Sequence, residues 1–90
     1  MDNTVSFIKE TVSRVTMTQP NIQTFIHMVH QFESDVIIHK NNRQTNAKSL
    51  LGLVAAFIHE GDEITIVTTG QDAKEALQAV GDFFLGKTTE

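Results

Sequence analysis

Cysteine, tryptophan and tyrosine are absent from the sequence, and proline occurs once, as Pro20. Without cysteine the chain can form no disulfide bond, thiolate zinc site, iron–sulfur cluster or cysteine nucleophile. The longest apolar run, residues 50–58, contains a glycine and is far too short to span a bilayer. No basic segment followed by an apolar stretch lies near residue 1, so we expect no signal peptide. These absences favour the cytoplasm as the compartment of the protein.

Positive charge is also scarce. Seven Lys and Arg stand against eleven Asp and Glu, which gives a formal net charge of −4 at pH 7. No two basic residues are adjacent, whereas binding along a phosphate backbone needs a clustered basic patch. No segment combines an amphipathic helix with a basic polar face, as binding to a membrane surface would require. We therefore expect protein partners, without direct binding to nucleic acid or to membranes.

The composition is that of one globular domain. Of the 90 residues, 40% are hydrophobic and 20% are charged, which is ordinary for a folded protein and unlike a disordered one. No linker, repeat or low-complexity stretch divides the chain, so we expect a single domain over residues 1–90.

The first seventeen residues allow two interpretations. Val5, Ile8, Val12 and Val15 fall at helical spacing, but residues 11–16 are rich in β-branched side chains and favour a strand. The segment is therefore either a strand of the sheet or an appended helix that could mediate dimerisation.

The rest of the chain alternates between helical and strand patterns. The predicted elements are a helix from Pro20 to about Phe32, a strand over 35–40, a hairpin turn at Asn41-Asn42 with a return at Gln44 and Thr45, a helix from Ala47 to about Phe57 with Asn46 as its N-cap, a strand over 63–68, and a helix that Asp72 caps and Gly86 ends. This order predicts an α+β fold of two layers, with helices on a mostly antiparallel sheet.

Several segments in this order resemble one family. Residues 46–53, N-A-K-S-L-L-G-L, resemble the serine-site segment of HPr, the phosphocarrier of the bacterial sugar phosphotransferase system. Residues 34–36, 61–66 and 70–72, with Ala76-Leu77 after them, resemble the later strands and last helix of the same family. The resemblance covers roughly residues 20–86. It implies an open-faced β-sandwich, in which three helices cover one side of a four-stranded antiparallel sheet in the order βαββαβα.

The sequence departs from the family at the phosphorylated histidine. HPr carries its phosphoryl group on a His in a G-[IL]-H-x-R-P segment, and alignment on Pro20 puts Met17 at the His position and Gln19 at the Arg position. A thioether does not accept a phosphoryl group as an imidazole nitrogen does, and Gln lacks the charge with which Arg stabilises phosphate. We therefore expect a protein that is neither an enzyme nor a working histidine phosphocarrier.

The serine site, in contrast, is intact. In HPr and its regulatory paralogue Crh, which also lacks the His, an ATP-dependent HPr kinase modifies this serine, and the product is a corepressor for a catabolite-control repressor. The resemblance implies that Ser49 is a regulatory phosphorylation site and that both proteins are partners of this chain. The family's partner surface maps to six residues of this sequence: Gln19, Ile22, Lys48, Leu50, Leu51 and Val54.

Alternatives to this hypothesis remain. Ser49 is equally consistent with a plain helix-capping serine, and the protein would then be a scaffold or decoy that is never phosphorylated. A degenerate phosphocarrier could instead relay a phosphoryl group through another His. His27 and His30 have a spacing that can hold a metal on one helix face, but no third ligand is evident, so we expect no metal and no cofactor.

Overall fold

The computed structural model describes residues 5–87. Its elements in chain order are β1 (Ser6–Val12), α1 (Gln19–Val29), β2 (Asp35–Lys40), β3 (Arg43–Asn46), α2 (Leu50–Ala56), β4 (Glu63–Thr69) and α3 (Ala73–Phe84). The four strands form one antiparallel sheet in the order β1-β4-β2-β3. The predicted open-faced sandwich of order βαββαβα is confirmed. Within residues 5–87, none of the helices has the length and apolarity needed to cross a membrane.

Within the ambiguous N-terminal segment, residues 6–12 form a strand and residues 13–17 do not, while residues 1–4 lie outside the described range. β1 pairs with β4 along its whole length, from Ser6 opposite Thr69 to Val12 opposite Glu63. Its side chains alternate between exposed and half-buried positions, because one side of the strand faces α3 and the other faces solvent. Two of the four apolar residues that suggested a helix, Ile8 and Val12, lie on that exposed side, at 66% and 43% exposure. Val15 follows the strand and packs against the core.

The core lies between one face of the sheet and helices α1 and α3. Alternate residues of the two central strands, such as Ile38 and Ile66, are fully buried on this face. The ring of Phe25 from α1 packs against Phe83 and Phe84 of α3, with ring centroids 5.0 and 5.3 Å apart in tilted arrangements. Tilted aromatic pairs at this separation add to the stabilisation from apolar burial. This cluster holds the two long helices together over the sheet.

The predicted start of α2 is wrong, whereas its predicted end lies within one residue of the observed end. The helix begins at Leu50, because Ser49 and not Asn46 is its N-cap. Asn46 still satisfies the backbone of the preceding turn, since its Oδ1 accepts a hydrogen bond from Lys48 N at 2.9 Å. The helix ends at Ala56, because Phe57 adopts a left-handed conformation with φ of 54°. The result is a helix of seven residues instead of eleven.

Asp72 is the N-cap residue of α3, as predicted, but its carboxylate makes no capping bond. The carboxylate instead accepts hydrogen bonds from Glu33 N at 2.9 Å, from Ser34 N at 2.9 Å and from Ser34 Oγ. The bond from Ser34 Oγ, followed by the backbone bonds, holds the pKa of the Asp72 carboxyl below its ordinary value of 3.8. Glycine at position 70 leaves room for this contact, because the Cβ of any other residue would lie 2.6 Å from Ser34 Oγ and would clash with it. The turn after β4 is thus joined to the start of β2.

We expect Asp72→Asn to lower the melting temperature at pH 7 and to remove part of the acid sensitivity of the fold. A carboxyl whose pKa is depressed in the folded state contributes its stability above its unfolded pKa, and this contribution is lost as pH falls through the lower, folded value. The melting-temperature difference between the wild type and Asp72→Asn should therefore stay nearly constant from pH 7 to about 5 and shrink as pH falls below about 4. Thermal melts over this range check it, with the exposed carboxylate variant Glu75→Gln as the control. A difference that stays constant with pH would contradict the assignment.

Candidate functional site

Helix α2 presents an apolar surface to solvent. Its seven residues, L-L-G-L-V-A-A, include no polar side chain. Leu53 and Ala56 are buried, whereas Leu50, Leu51 and Val54 are 52%, 80% and 54% exposed. Exposed apolar side chains that form a contiguous patch are typical of protein–protein contact sites.

Phe57 extends this surface beyond the end of the helix. Its side chain is 64% exposed and lies edge-on to the ring of His59, with centroids 4.1 Å apart. We name the set Leu50, Leu51, Val54 and Phe57 the α2 face. The sequence prediction put Phe57 inside the helix and did not identify it as a site residue. Phe57 was missed because its exposure follows from its left-handed backbone, and a phenylalanine gives no sequence signal of that conformation.

A lysine holds the C-terminal end of α2 in place. Lys40 Nζ donates hydrogen bonds to Phe57 O at 2.8 Å and to Ala56 O at 3.3 Å, and it forms an ion pair with Asp62 Oδ2 at 2.9 Å. A cation at the end of a helix satisfies free carbonyls and interacts favourably with the helix dipole. The left-handed Phe57 is therefore tied to β2 through its backbone while its ring remains outside.

Ser49 caps the start of α2. Its Oγ accepts a hydrogen bond from Gly52 N at 3.0 Å, which satisfies one of the free N–H groups at the start of a helix. The close approach suits glycine, because a Cβ at Gly52 would lie 3.2 Å from Ser49 Oγ and 3.3 Å from Thr45 Cγ2. Ser49 was predicted to lie in the first turn, and the structure places it one step earlier, as the N-cap itself. Its hydroxyl and the α2 face therefore belong to one short segment.

Two contacts fix the start of α2 against the end of α1. Lys48 Nζ donates a hydrogen bond to Phe32 O at 2.7 Å, and His30 Nε2 lies 3.3 Å from Lys48 O. The ammonium that was predicted to meet a partner thus also joins the two helices. Beside these contacts, a cavity of about 380 Å³ opens between the helices, lined by Gln23, Ile26, His27, His30 and Leu50.

The predicted residues of the α1 end divide between surface and core. Gln19 is exposed at the first position of α1. Ile22 is only 4% exposed, so the structure contradicts the predicted partner contact at Ile22; its side chain belongs to the apolar stripe that packs on the sheet. Met17 is 5% exposed, and its backbone N donates to Ile58 O at 2.8 Å. The side chain at the position aligned with the family's histidine is therefore part of the core.

His27 and His30, at the end of α1, have no third metal ligand close to them among the described residues. Over residues 5–87, no three His, Asp or Glu side chains lie close enough together to hold a metal ion. His27 and His30 are both exposed on the helix surface. The chemistry available at this end of the molecule is therefore that of a serine hydroxyl, two imidazoles and the α2 face.

Comparison with known proteins gives a consistent result. The family model described as "PTS HPr component phosphorylation site" matches residues 13–85. The chain is 34% identical over 59 residues to the HPr-like protein Crh of Bacillus subtilis, covering 66% of this chain and 69% of Crh. It is 36% identical over 62 residues to the phosphocarrier protein HPr of Neisseria meningitidis, covering 69% of this chain and 70% of that protein.

Solved structures show the same similarity. The crystal structure of a phosphocarrier protein HPr from Bacillus anthracis matches with a TM-score of 0.78 and 29% sequence identity, covering 92% of this chain and 99% of that one. The crystal structure of Crh from Bacillus subtilis matches with a TM-score of 0.76 and 25% identity, covering 89% of this chain and 90% of that one.

We expect Ser49→Ala to destabilise the protein by about 1 kcal/mol, because it removes the acceptor for Gly52 N. Ser49→Asn should leave the stability nearly unchanged, since Asn caps helices as well as Ser does. Urea denaturation of the two variants and the wild type checks this. Equal stability of Ser49→Ala and Ser49→Asn would contradict the capping role.

Proposed function

The chain belongs to the HPr family, and from this premise we propose that it is a regulatory protein-binding module without histidine phosphocarrier activity, switched by phosphorylation of Ser49. The observation that carries the proposal is the direct succession of a capping serine and an exposed apolar surface on one helix. Leu51, two residues after Ser49, is 80% exposed. A partner that contacts the α2 face therefore also meets any group attached to Ser49.

The proposed loss of carrier activity rests on Met17 and Gln19. A histidine carrier needs a nucleophilic nitrogen that is open to a phosphoryl donor. Met17 has no such atom and its side chain is buried. Gln19 is exposed but neutral, so it lacks the charged fork with which Arg holds phosphate oxygens. Both the acceptor and its electrostatic support are missing from this segment.

The proposed switch rests on the position of Ser49 Oγ. A phosphate on this atom lies at the N-terminal end of α2, where backbone N–H groups and the positive end of the helix dipole favour negative charge. Phosphate oxygens can take over the bond that Oγ accepts from Gly52 N, so the modification need not unfold the helix. It adds roughly two negative charges beside the α2 face.

This combination defines the chemistry of the proposed partners. One is an ATP-dependent serine kinase of the HPr-kinase type, which must reach the Ser49 hydroxyl. The other is a regulator of the catabolite-repressor type, which would offer Arg or Lys to the phosphate and apolar side chains to the α2 face. Such a protein acts through binding in carbon catabolite control.

The test is intact-mass spectrometry after two parallel incubations. One contains phosphoenolpyruvate with the general enzyme of the phosphotransferase system, and the other contains ATP with an HPr kinase. We expect one phosphoryl group with the kinase alone, and none on Ser49→Asn, which keeps the helix cap but has no hydroxyl. Transfer from phosphoenolpyruvate would overturn the loss of carrier activity and direct attention to His27 and His30. No transfer from either donor would leave an unmodified scaffold.

A further inference from the structure

The side of the sheet turned away from the helices is a second surface, which we name the open face. It consists of alternate residues of each strand, starting from Ser6, Asp35, Gln44 and Glu63. The registers align these residues across the four strands. No element in residues 5–87 packs over this face, so it is open to a ligand.

Every charged side chain of the open face is a carboxylate. Glu10 and Glu63 lie on the neighbouring strands β1 and β4, and Asp35 lies at the start of β2. His39 is the only basic side chain that shares this side among the strand residues described. The open face therefore carries a formal charge of −3 with His39 neutral.

The lysines and arginine of the same strands lie on the opposite side. The Lys9 side chain lies against Gly81 of α3, since its Nζ is 3.5 Å from the position that a Cβ at residue 81 would occupy. Lys40 is held by the end of α2 and by Asp62. Arg43 is paired with Lys40 in the hairpin register and therefore lies on the same side. Within these strands, the carboxylates therefore lie on the open face, and the lysine and arginine side chains lie on the side of the sheet that faces the helices.

Apolar side chains form a row through the middle of the open face. Ile8, Val67 and Ile37 are opposite one another on three adjacent strands. Ile8 is 66% exposed, and Val12, two positions further along β1, is 43% exposed. The acidic groups lie on both sides of this row along the strands, Asp35 on one side and Glu10 with Glu63 on the other.

An open depression of about 530 Å³ lies beside this row. Its walls include Glu10, Val12, His39 and Glu63. Glu10 and Glu63 are diagonal neighbours across the β1–β4 pair, a position that corresponds to a separation of about 7–8 Å. A cationic side chain that enters the depression can meet both carboxylates, and a guanidinium can bind a carboxylate through two hydrogen bonds.

We propose that the open face binds a protein partner whose lysine and arginine side chains surround an apolar centre, with one cation in the depression between Glu10 and Glu63. Charge complementarity selects this occupant. A second copy of the same face would bring like charges together, and an anionic lipid surface would be repelled for the same reason. Because the helices lie on the other side of the sheet, the α2 face remains free in such a complex.

Site-specific photo-crosslinking of the full chain in its own cells tests the proposal, with p-benzoylphenylalanine placed at position 8 and, as the control, at the exposed position 78 on α3. We expect a discrete crosslinked product only from position 8, whose attachment site, mapped by mass spectrometry, is rich in Lys and Arg around apolar residues. The double variant Glu10→Lys with Glu63→Lys should reduce its yield by roughly tenfold or more. Leu51→Ser, on the α2 face, should leave it unchanged.

Four results would overturn the proposal. They are the absence of any product specific to position 8, an attachment site in an acidic segment, an attachment site in a second copy of this chain, and a yield that the charge reversal does not change. Circular dichroism of the double-lysine variant must match the wild type. If it does not, the single variants Glu10→Gln and Glu63→Gln replace it, with a smaller loss of yield as the supporting result and an unchanged yield as the contradicting one.

Discussion

The covering of the sheet on one side only is the constraint from which the other features of this protein follow. Since side chains alternate along a strand, each strand has to send every second residue into the core. Val36, Ile38, Ile64 and Ile66 fill that role under α1 and α3. The opposite positions are released from packing, and there the strands carry carboxylates around an apolar row. One structural rule therefore produces both the core and the open face.

The same constraint leaves α2 outside the main layer. α1 and α3 meet over the sheet through Phe25, Phe83 and Phe84, whereas α2 packs on α1 and on the short edge strand β3. With seven residues it buries only Leu53 and Ala56, so its remaining apolar side chains lie in solvent. Contacts at each end keep this helix in place, and the protein can present an apolar surface without losing its fold.

The sequence predicted the elements better than their ends or their side-chain contacts. Residues 35–40 were predicted as a strand and form one, because the β-branched run over 36–38 and the following Asn-Asn turn both favour it. The start of α2 was misplaced, since Asn46 and Ser49 both suit a cap by residue type. In the structure Asn46 Oδ1 accepts from Lys48 N in the preceding turn, and Ser49 Oγ accepts from Gly52 N as the N-cap. Asp72 bonds to a segment 38 residues away, which no local pattern reveals. Leu50, Leu51 and Val54 were predicted as partner-binding residues through family resemblance, and the structure shows that they are exposed. The exposure of Phe57 follows from its left-handed backbone, which the sequence does not reveal.

The most direct measurement of the central claim is calorimetric binding of the protein to a catabolite-control repressor of the type that the HPr family serves. Three forms are compared: the unmodified protein, the Ser49-phosphorylated protein, and phosphorylated Leu51→Ser. If the phosphate and the α2 face form one docking surface, the phosphorylated protein binds the repressor. Each of the other two forms then binds at least about tenfold more weakly, a difference in binding free energy of about 1.4 kcal/mol or more. Equal affinity of all three forms would contradict the account.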